Sequence, residues 1–421
     1  MNIGIDIRPL MAKNKTGVGE YTEELLNAVF KLDKTNRYFL FYNSHEDVSD
    51  NIPKWEQENV RYIVTQWPNK LFNGAIKIFG WPRLDKLSFP RRRESSTEHL
   101  DPHFHGDDNL DIFFAPNLNF ITLSKKTKFI LTVHDLSFEF FPEFYTIKQR
   151  LWHKAVNPKK LCERADAIIT PSENTKRDIV DYYKIPDKKI KVIYPGNACH
   201  SRDRLRHGAM AVENGGNPRS PAMDSESWSG MTDKDPSTSL GMTNKKYILF
   251  LGTIEPRKNI NGLINAFEIF NVKYPVYDIS LVIAGAPGWK NKEIFEQIKK
   301  SPCKEKIKYV GCVKNDDKPA LYSNASLFVY PSFYEGFGFP ILEAMASGVP
   351  VITSNRSSLP EVAGSNAILI DPNHPEQIAW AMNNILTNQN LRETQIKNGL
   401  LQAAKFSWEK AAKEWLSVLP T

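Results

Sequence analysis

Two kinds of apolar run alternate along this chain. Short blocks rich in Ile, Val, Leu and Phe occur at 3–7, 38–42, 61–64, 129–133, 167–170 and 190–194, and again at 247–251, 279–284, 307–310, 327–330 and 351–353. Blocks of this length predict buried strands, which in a parallel sheet are apolar on both faces. Longer segments between them carry apolar residues at helical spacing. Leu25, Leu26, Val29, Phe30 and Leu32 mark one helix over 21–32, and Ile260, Leu263, Ile264, Phe267 and Phe270 mark another. The segment 377–419 is helical with a break at Phe406-Ser407-Trp408. Strands alternating with helices in both halves predict an α/β protein with two doubly wound, Rossmann-like domains facing a cleft.

Two stretches interrupt the pattern. Residues 88–109 bring Arg91-Arg92-Arg93, polar residues and His99, His103 and His105, without periodicity and with few large apolar residues. They read as a disordered insert rather than a metal site, and the pattern resumes at 109–116. From Cys199 to Asn244 the chain turns to Ser, Gly, Pro, Asp, Arg and Met, which predicts a disordered linker or insert spanning 197–245. Its Asp233-Lys234-Asp235 matches a cation-holding D-x-D only formally. The predicted domains are therefore 1–196, with the insert 88–109, and 246–400, followed by a terminal helix at 401–421.

The length of 421 residues accommodates two α/β cores, and 41% hydrophobic with 24% charged residues is ordinary for a globular protein. No apolar stretch is long enough to span a membrane, and Met1-Asn2-Ile3-Gly4-Ile5-Asp6 enters a strand at once without the regions of a signal peptide. A cytoplasmic protein is expected. Cys162, Cys199, Cys303 and Cys312 lack metal-ligand spacing and read as reduced thiols. The net charge of +7 points to anionic partners. Nucleic acid is not among them, because no basic stripe with interleaved aromatics appears. One stretch, 70–87, mixes Leu71, Phe72, Ile76, Phe79, Trp81 and Leu84 with Lys70, Lys77, Arg83 and Lys86. Its ordinary account is a core-packing helix with a solvated basic face; its sharper one is a patch that rests on a membrane or holds a lipid-linked acceptor.

Candidate chemistry concentrates in four places. Tyr330 to Pro350 reads as strand end, loop and helix, with the helix starting at Pro340 and stopping at Gly348. Glu335 lies in the loop and Glu343 in an apolar helical setting, where a carboxylate needs a partner. Gly252 to Asn259 places Arg257 and Lys258 at a strand-to-helix turn beside a glycine, a natural diphosphate clamp. His134 follows the strand 129–133 at its C-terminal end, the edge where open parallel sheets bind ligands. Gly17-Val18-Gly19 forms a Gly loop before a helix but lacks the third glycine of a dinucleotide fingerprint.

The Glu335-x7-Glu343 spacing resembles the signature of family-4 retaining nucleotide-sugar glycosyltransferases of the GT-B fold. Gly17, Val133-His134-Asp135-Leu136, and Arg257 with Lys258 resemble that family's other motifs in the expected order. The resemblance implies a hexosyltransferase acting on a nucleoside diphosphate sugar. It assigns the donor to Gly17, Gly19, Gly252, Arg257, Lys258, Glu335, Gly336, Phe337, Gly338 and Glu343, with His134 near the sugar hydroxyls. Glu343 would hold the donor ribose and Glu335 the transferred sugar. Arg257 and Lys258 would supply the positive charge, so neither metal nor cofactor is expected. Anomeric configuration would be retained, on a glycan or lipid-linked acceptor in cell-envelope polysaccharide synthesis, and the inner face of the membrane would be a place for such a reaction. Ile5-Asp6-Ile7-Arg8-Pro9-Leu10 with Thr16-Gly17-Val18-Gly19 looks most like bacterial mannosyltransferases, which favours GDP-mannose. Rival readings are an epimerase or hydrolase on the same fold, turning over donor without acceptor, and an inactive sugar-nucleotide-binding protein.

Overall fold

The computed structural model describes residues 1–13, 15–87, 109–197 and 247–420. The stretches 88–108 and 198–246, with the insert, linker, His99, His103, His105 and Asp233-Lys234-Asp235 readings, lie outside the described residues. By contact pattern the chain forms two units. One holds Met1–Leu136, Ile147–Gly196 and Trp408–Thr421; the other holds Ser137–Thr146 and Asn197–Ser407. The sequence reading kept 137–146 with the first domain and sent the C-terminal helix back from 401, whereas the contacts exchange the first segment and begin the second at Trp408.

The first unit contains a parallel sheet of seven strands: β1 (Asn2–Asp6), β2 (Arg37–Asn43), β3 (Val60–Thr65), β4 (Ile112–Ala115), β5 (Lys128–Thr132), β6 (Ala167–Thr170) and β7 (Ile190–Val192). Their order is β3-β2-β1-β4-β5-β6-β7. Ile3, Ile5, Phe39, Phe113, Phe114, Phe129 and Ile168 are fully buried or nearly so, as expected of strands covered on both faces. The helix predicted from Tyr21 starts earlier, at Gly17, and runs to Leu32. Gly17 and Gly19 therefore sit in its first turn rather than in a free loop. At Gly19 a side chain would approach the Pro9 carbonyl to 3.1 Å, while Gly17 faces open space. The C-terminal helix Trp408–Leu416 buries Trp415 against Phe114 and Trp408 beside Tyr21.

The second unit contains β8 (Tyr247–Leu251), β9 (Ser280–Ala284), β10 (Ile307–Gly311), β11 (Ala325–Tyr330), β12 (Val351–Ser354) and β13 (Ile368–Ile370), all parallel, in the order β10-β9-β8-β11-β12-β13. Each sheet reverses its winding once, between β1 and β4 and between β8 and β11. Connections diverge to opposite faces there and leave a crevice beyond the strands' carboxyl ends, where open α/β sheets bind ligands. The helix after β11 is Phe339–Ala346, one residue earlier than predicted at its start, and the segment 377–419 resolves into Pro375–Thr387, Gln389–Ala403 and Trp408–Leu416.

The stretch 70–87 follows neither simple account. Its helix is Asn69–Phe79, and only Phe72, Ile76 and the later Leu84 enter the core. Leu71, Ile78, Phe79 and Trp81 remain more than half exposed, among exposed Lys70, Lys77, Arg83 and Lys86. No described helix is long and apolar enough to cross a membrane.

The end of β9 packs backbone to backbone on the end of β8. Gly285 has φ +139°, and a Cβ there would fall 1.9 Å from the Gly252 carbonyl oxygen. Gly252, by contrast, offers a Cβ ordinary contacts of 3.5 Å with Phe250 and Tyr330. Gly285→Ala is thus expected to cost about 3 kcal/mol or more through strain and collision. Gly252→Ala should cost less than about 1 kcal/mol. Urea unfolding of the two variants checks the order, and equal stabilities would refute it.

Candidate active site

At the crevice of the second unit, two loops meet. The first leaves β8 and coils into the short turn Pro256–Lys258. Asn259 then adopts the left-handed conformation, φ 54°, which Asn tolerates better than most residues. Its Oδ1 accepts from the Gly262 amide and caps the helix Ile260–Lys273, while its Nδ2 donates to the Pro372 carbonyl. This fixes Arg257 and Lys258 at the sheet edge. The second loop, Pro331 to Gly338, leaves β11 carrying Glu335. The Phe333 amide donates to the Arg257 carbonyl, Ser357 Oγ accepts from the Glu335 amide at 2.8 Å, and Ser358 Oγ donates to the Glu335 and Phe337 carbonyls.

The geometry brings Arg257, Lys258 and Glu335 together. Arg257 Nη1 donates to Glu335 Oε2 at 2.8 Å and to the Tyr334 carbonyl at 2.7 Å; Nη2 donates to Glu255 Oε1 at 2.7 Å. Lys258 Nζ donates to Glu335 Oε1 and to the Tyr330 hydroxyl, both at 2.6 Å. Glu255, Lys258 and Glu335 are all buried. Two cations and two carboxylates thus offset one another, as buried charge requires. Burial alone would raise the Glu335 carboxyl, but Arg257 and Lys258 outweigh it and hold the value at about 2. Burial draws the Lys258 ammonium below its ordinary value against the pull of Glu335, and pushes the Tyr330 hydroxyl well up.

Arg257 is locked by carboxylates on both prongs of its fork. Lys258 has three hydrogens and two partners here, so one N–H remains for a ligand. Glu335 keeps lone pairs beyond the two its cations use. Glu343 is buried on the helix Phe339–Ala346, where its Oε2 accepts from Tyr322 at 2.8 Å. Gly338 precedes that helix with φ 122°, and Phe337 is buried against Phe339 and Phe406. Gly336 lies between Glu335 and Phe337 in the same loop. Phe140 and Phe141 lie against Tyr334, and Phe144 against Phe333, so the segment Ser137–Thr146 braces the loop of Glu335.

His134, Gly17 and Gly19 belong to the first unit. His134 Nε2 lies 2.8 Å from the Pro116 carbonyl, which can only accept, so Nε2 carries the proton. Burial lowers the ring's affinity for a second proton, leaving a neutral imidazole whose Nδ1 is an acceptor. The Tyr21 ring stands edge-on to it with centroids 4.8 Å apart, and Thr175 donates to its backbone carbonyl.

Sequence reasoning missed Glu255, Tyr330, Ser357 and Ser358 as members of the site. Glu255 stands two residues before Arg257, and a lone acid beside a basic pair was the available signal. No spacing rule points to the serines, which reach the loop only through the fold.

Residues 232–402 match the family described as glycosyl transferases group 1, and residues 57–197 match glycosyltransferase family 4. O-antigen chain mannosyltransferase B of Escherichia coli is 29% identical over 420 residues, 96% of this chain and 95% of that protein. The chain belongs to these glycosyltransferases. The serotype-specific mannosyltransferase WbdA of Escherichia coli is 30% identical over 251 residues, 59% of this chain but only 28% of that longer protein. Sucrose-phosphate synthase from Thermosynechococcus elongatus, 18% identical, shares the fold with a TM-score of 0.66 over 99% of this chain and 98% of that one. The glycosyltransferase therefore has the GT-B architecture expected from its sequence.

Because the folded value of Glu335 lies near 2 against an ordinary 4.5, its stabilisation is complete above about pH 4.5 and is lost as pH falls through about 2. Glu335→Gln is expected to lower stability at pH 7 by on the order of 3 kcal/mol. The deficit should shrink between pH 4.5 and 3. Urea titrations at pH 7, 4.5 and 3 measure it, and a constant deficit would contradict the ion-pair account.

Proposed function

We propose that this glycosyltransferase moves a mannosyl group from GDP-mannose to a hydroxyl of a glycan or lipid-linked acceptor, with retention of configuration and without a metal ion. The observation that carries the reading is the convergence of Arg257, Lys258 and Glu335 at the crevice of the second sheet. Similarity to two mannosyltransferases, one over nearly the full length of both chains, supports mannose, and the GDP moiety follows from that choice of sugar.

In this mechanism the bond between the sugar's anomeric carbon and the diphosphate breaks, and the diphosphate leaves with the electron pair. Negative charge grows on its oxygens while the sugar becomes oxocarbenium-like; the acceptor hydroxyl oxygen then forms the new bond to the anomeric carbon on the same face, and its proton passes to the departing diphosphate. Lys258 donates its remaining N–H to that charge, and Arg257 holds Glu335 in register. Preorganised donors at such a position contribute to the rate because they need not reorient as charge develops. Glu335 uses its remaining lone pairs to accept from hydroxyls of the transferred sugar, and Glu343 from the donor ribose. Gly252, Gly336, Phe337 and Gly338 border the donor, and the first unit takes the acceptor. There Gly17 and Gly19 allow close backbone approach, and His134, neutral and protonated at Nε2, accepts a sugar hydroxyl at Nδ1.

We also assign the helix Asn69–Phe79 and the following Trp81 to the inner face of the cytoplasmic membrane. Exposed Leu71, Ile78 and Phe79 enter the headgroup boundary while Lys70, Lys77 and Arg83 meet anionic lipid.

The chemical test is hydrolysis and transfer from a panel of nucleotide sugars in EDTA, with wild type, Lys258→Ala and His134→Ala. One donor, GDP-mannose, is expected to turn over despite EDTA. Lys258→Ala should lower kcat/KM about 10²-fold or more. Donor turnover that ignores added acceptor would favour a hydrolase or epimerase, and donor binding without turnover an inactive binding protein. The membrane assignment predicts that Leu71→Glu with Phe79→Glu weakens sedimentation with phosphatidylglycerol vesicles at least tenfold. Unchanged sedimentation would refute it.

A further inference from the structure

The first unit has its own crevice, at the carboxyl ends of β1 and β4, and it is chemically unlike the second. A cavity of about 300 Å³ opens there, lined by Arg8, Asn69, Asn73, Asn117, Asn119 and Trp152 among others. Its volume is at the small end for ligand sites, roughly 300–1,000 Å³, and suits one sugar ring rather than an oligosaccharide.

The cavity's one charge is already answered. Arg8 donates from Nε and Nη2 to the two carboxylate oxygens of Asp6, at 2.8 and 2.6 Å, and from Nη2 to the Phe120 carbonyl at 3.1 Å. Both side chains of this pair are more than nine-tenths buried. The guanidinium also lies over the Phe41 ring, 5.5 Å from its centroid. Its Nη1 makes no hydrogen bond among the described residues, but the charge is matched, and a phosphate would have to compete with a buried carboxylate at hydrogen-bond distance.

The rest of the lining is neutral and able both to donate and to accept. Asn119 Oδ1 accepts from the Phe120 amide and Asn69 Oδ1 from Asn43, which leaves each side chain's NH2. Asn73 and Asn117 make no side-chain hydrogen bond among the described residues. Trp152 stands edge-on to Phe120 and is 37% exposed. Amides that pair with hydroxyls, beside an aromatic surface for C–H groups, suit a neutral hexose.

We propose that this cavity holds the terminal sugar ring of the acceptor and selects an uncharged ring over a phosphorylated one. The inference rests on the transferase reading for its biological meaning, but the binding itself needs no donor. Asn117 and Trp152 become specificity-determining residues, and Asp6 acts through Arg8 as a positioning residue that removes the site's appeal to phosphate.

The test is saturation-transfer NMR with the full chain and methyl glycosides of mannose, glucose, galactose and N-acetylglucosamine, with mannose 6-phosphate as the charged comparison. Wild type is expected to bind at least one neutral glycoside more tightly than the phosphate. Trp152→Ala and Asn117→Ala should each weaken that binding at least tenfold. Glu335→Ala, in the other unit, should leave it unchanged, which separates this cavity from the donor site. Binding that survives both cavity variants, that follows Glu335, that favours the phosphate, or that is absent for every neutral glycoside would overturn the proposal. Failure of donor turnover alone would instead count against the transferase reading.

Discussion

The second unit depends on one buried carboxylate held by two cations. Removing Glu335 from water is costly, and it is tolerable only because Arg257 and Lys258 stand at 2.8 and 2.6 Å. Lys258 has no other ion-pair partner among the described residues, whereas Arg257 also pairs with Glu255. The turn Pro256–Lys258, the left-handed Asn259 and the serines at 357 and 358 read as the scaffold of this cluster. Each satisfies a backbone group of a loop that would otherwise bury unpaired amides. The same pairing that stabilises the loop orients the groups that a departing diphosphate would meet.

Sheet order then decides where such clusters can sit. Both sheets reverse their winding between their first and fourth strands, and both place functional candidates just beyond those strands. The two crevices carry different chemistry on the same architecture. In the second unit, Lys258 retains an N–H for a ligand. In the first, Arg8 is neutralised by Asp6 and surrounded by amides. A fold that offers one geometrical site twice has thus been filled with one charged and one neutral lining.

The histidine illustrates how a small contact sets a chemical role. The Pro116 carbonyl fixes the proton of His134 on Nε2, and burial disfavours a second. The ring is thereby an acceptor rather than an acid, a distinction that residue type alone does not make.

Much of this was legible along the chain. The apolar blocks gave eleven of the thirteen described strands, because strands covered on both faces must be apolar throughout; β13 at Ile368–Ile370 was missed, and β4 at Ile112–Ala115 was read only as part of the resumed pattern at 109–116. Ordered motifs gave the family and named Arg257, Lys258 and Glu335 as members of one donor site, without showing that they pair. What the sequence left open depends on distances between residues far apart in the chain. The ion pairs of Glu335 span 77 and 78 positions. The second partner of Arg257, Glu255, was visible but could be credited only once their carboxylate and guanidinium were seen to meet. Periodicity called 70–87 a helix but not which apolar residues the core would decline, since that follows from what packs against it. The neutral cavity was invisible for the same reason: Arg8, Asn73, Asn117 and Trp152 share no motif, and only the pairing of β1 with β4 and the packing of the neighbouring helices make them one site.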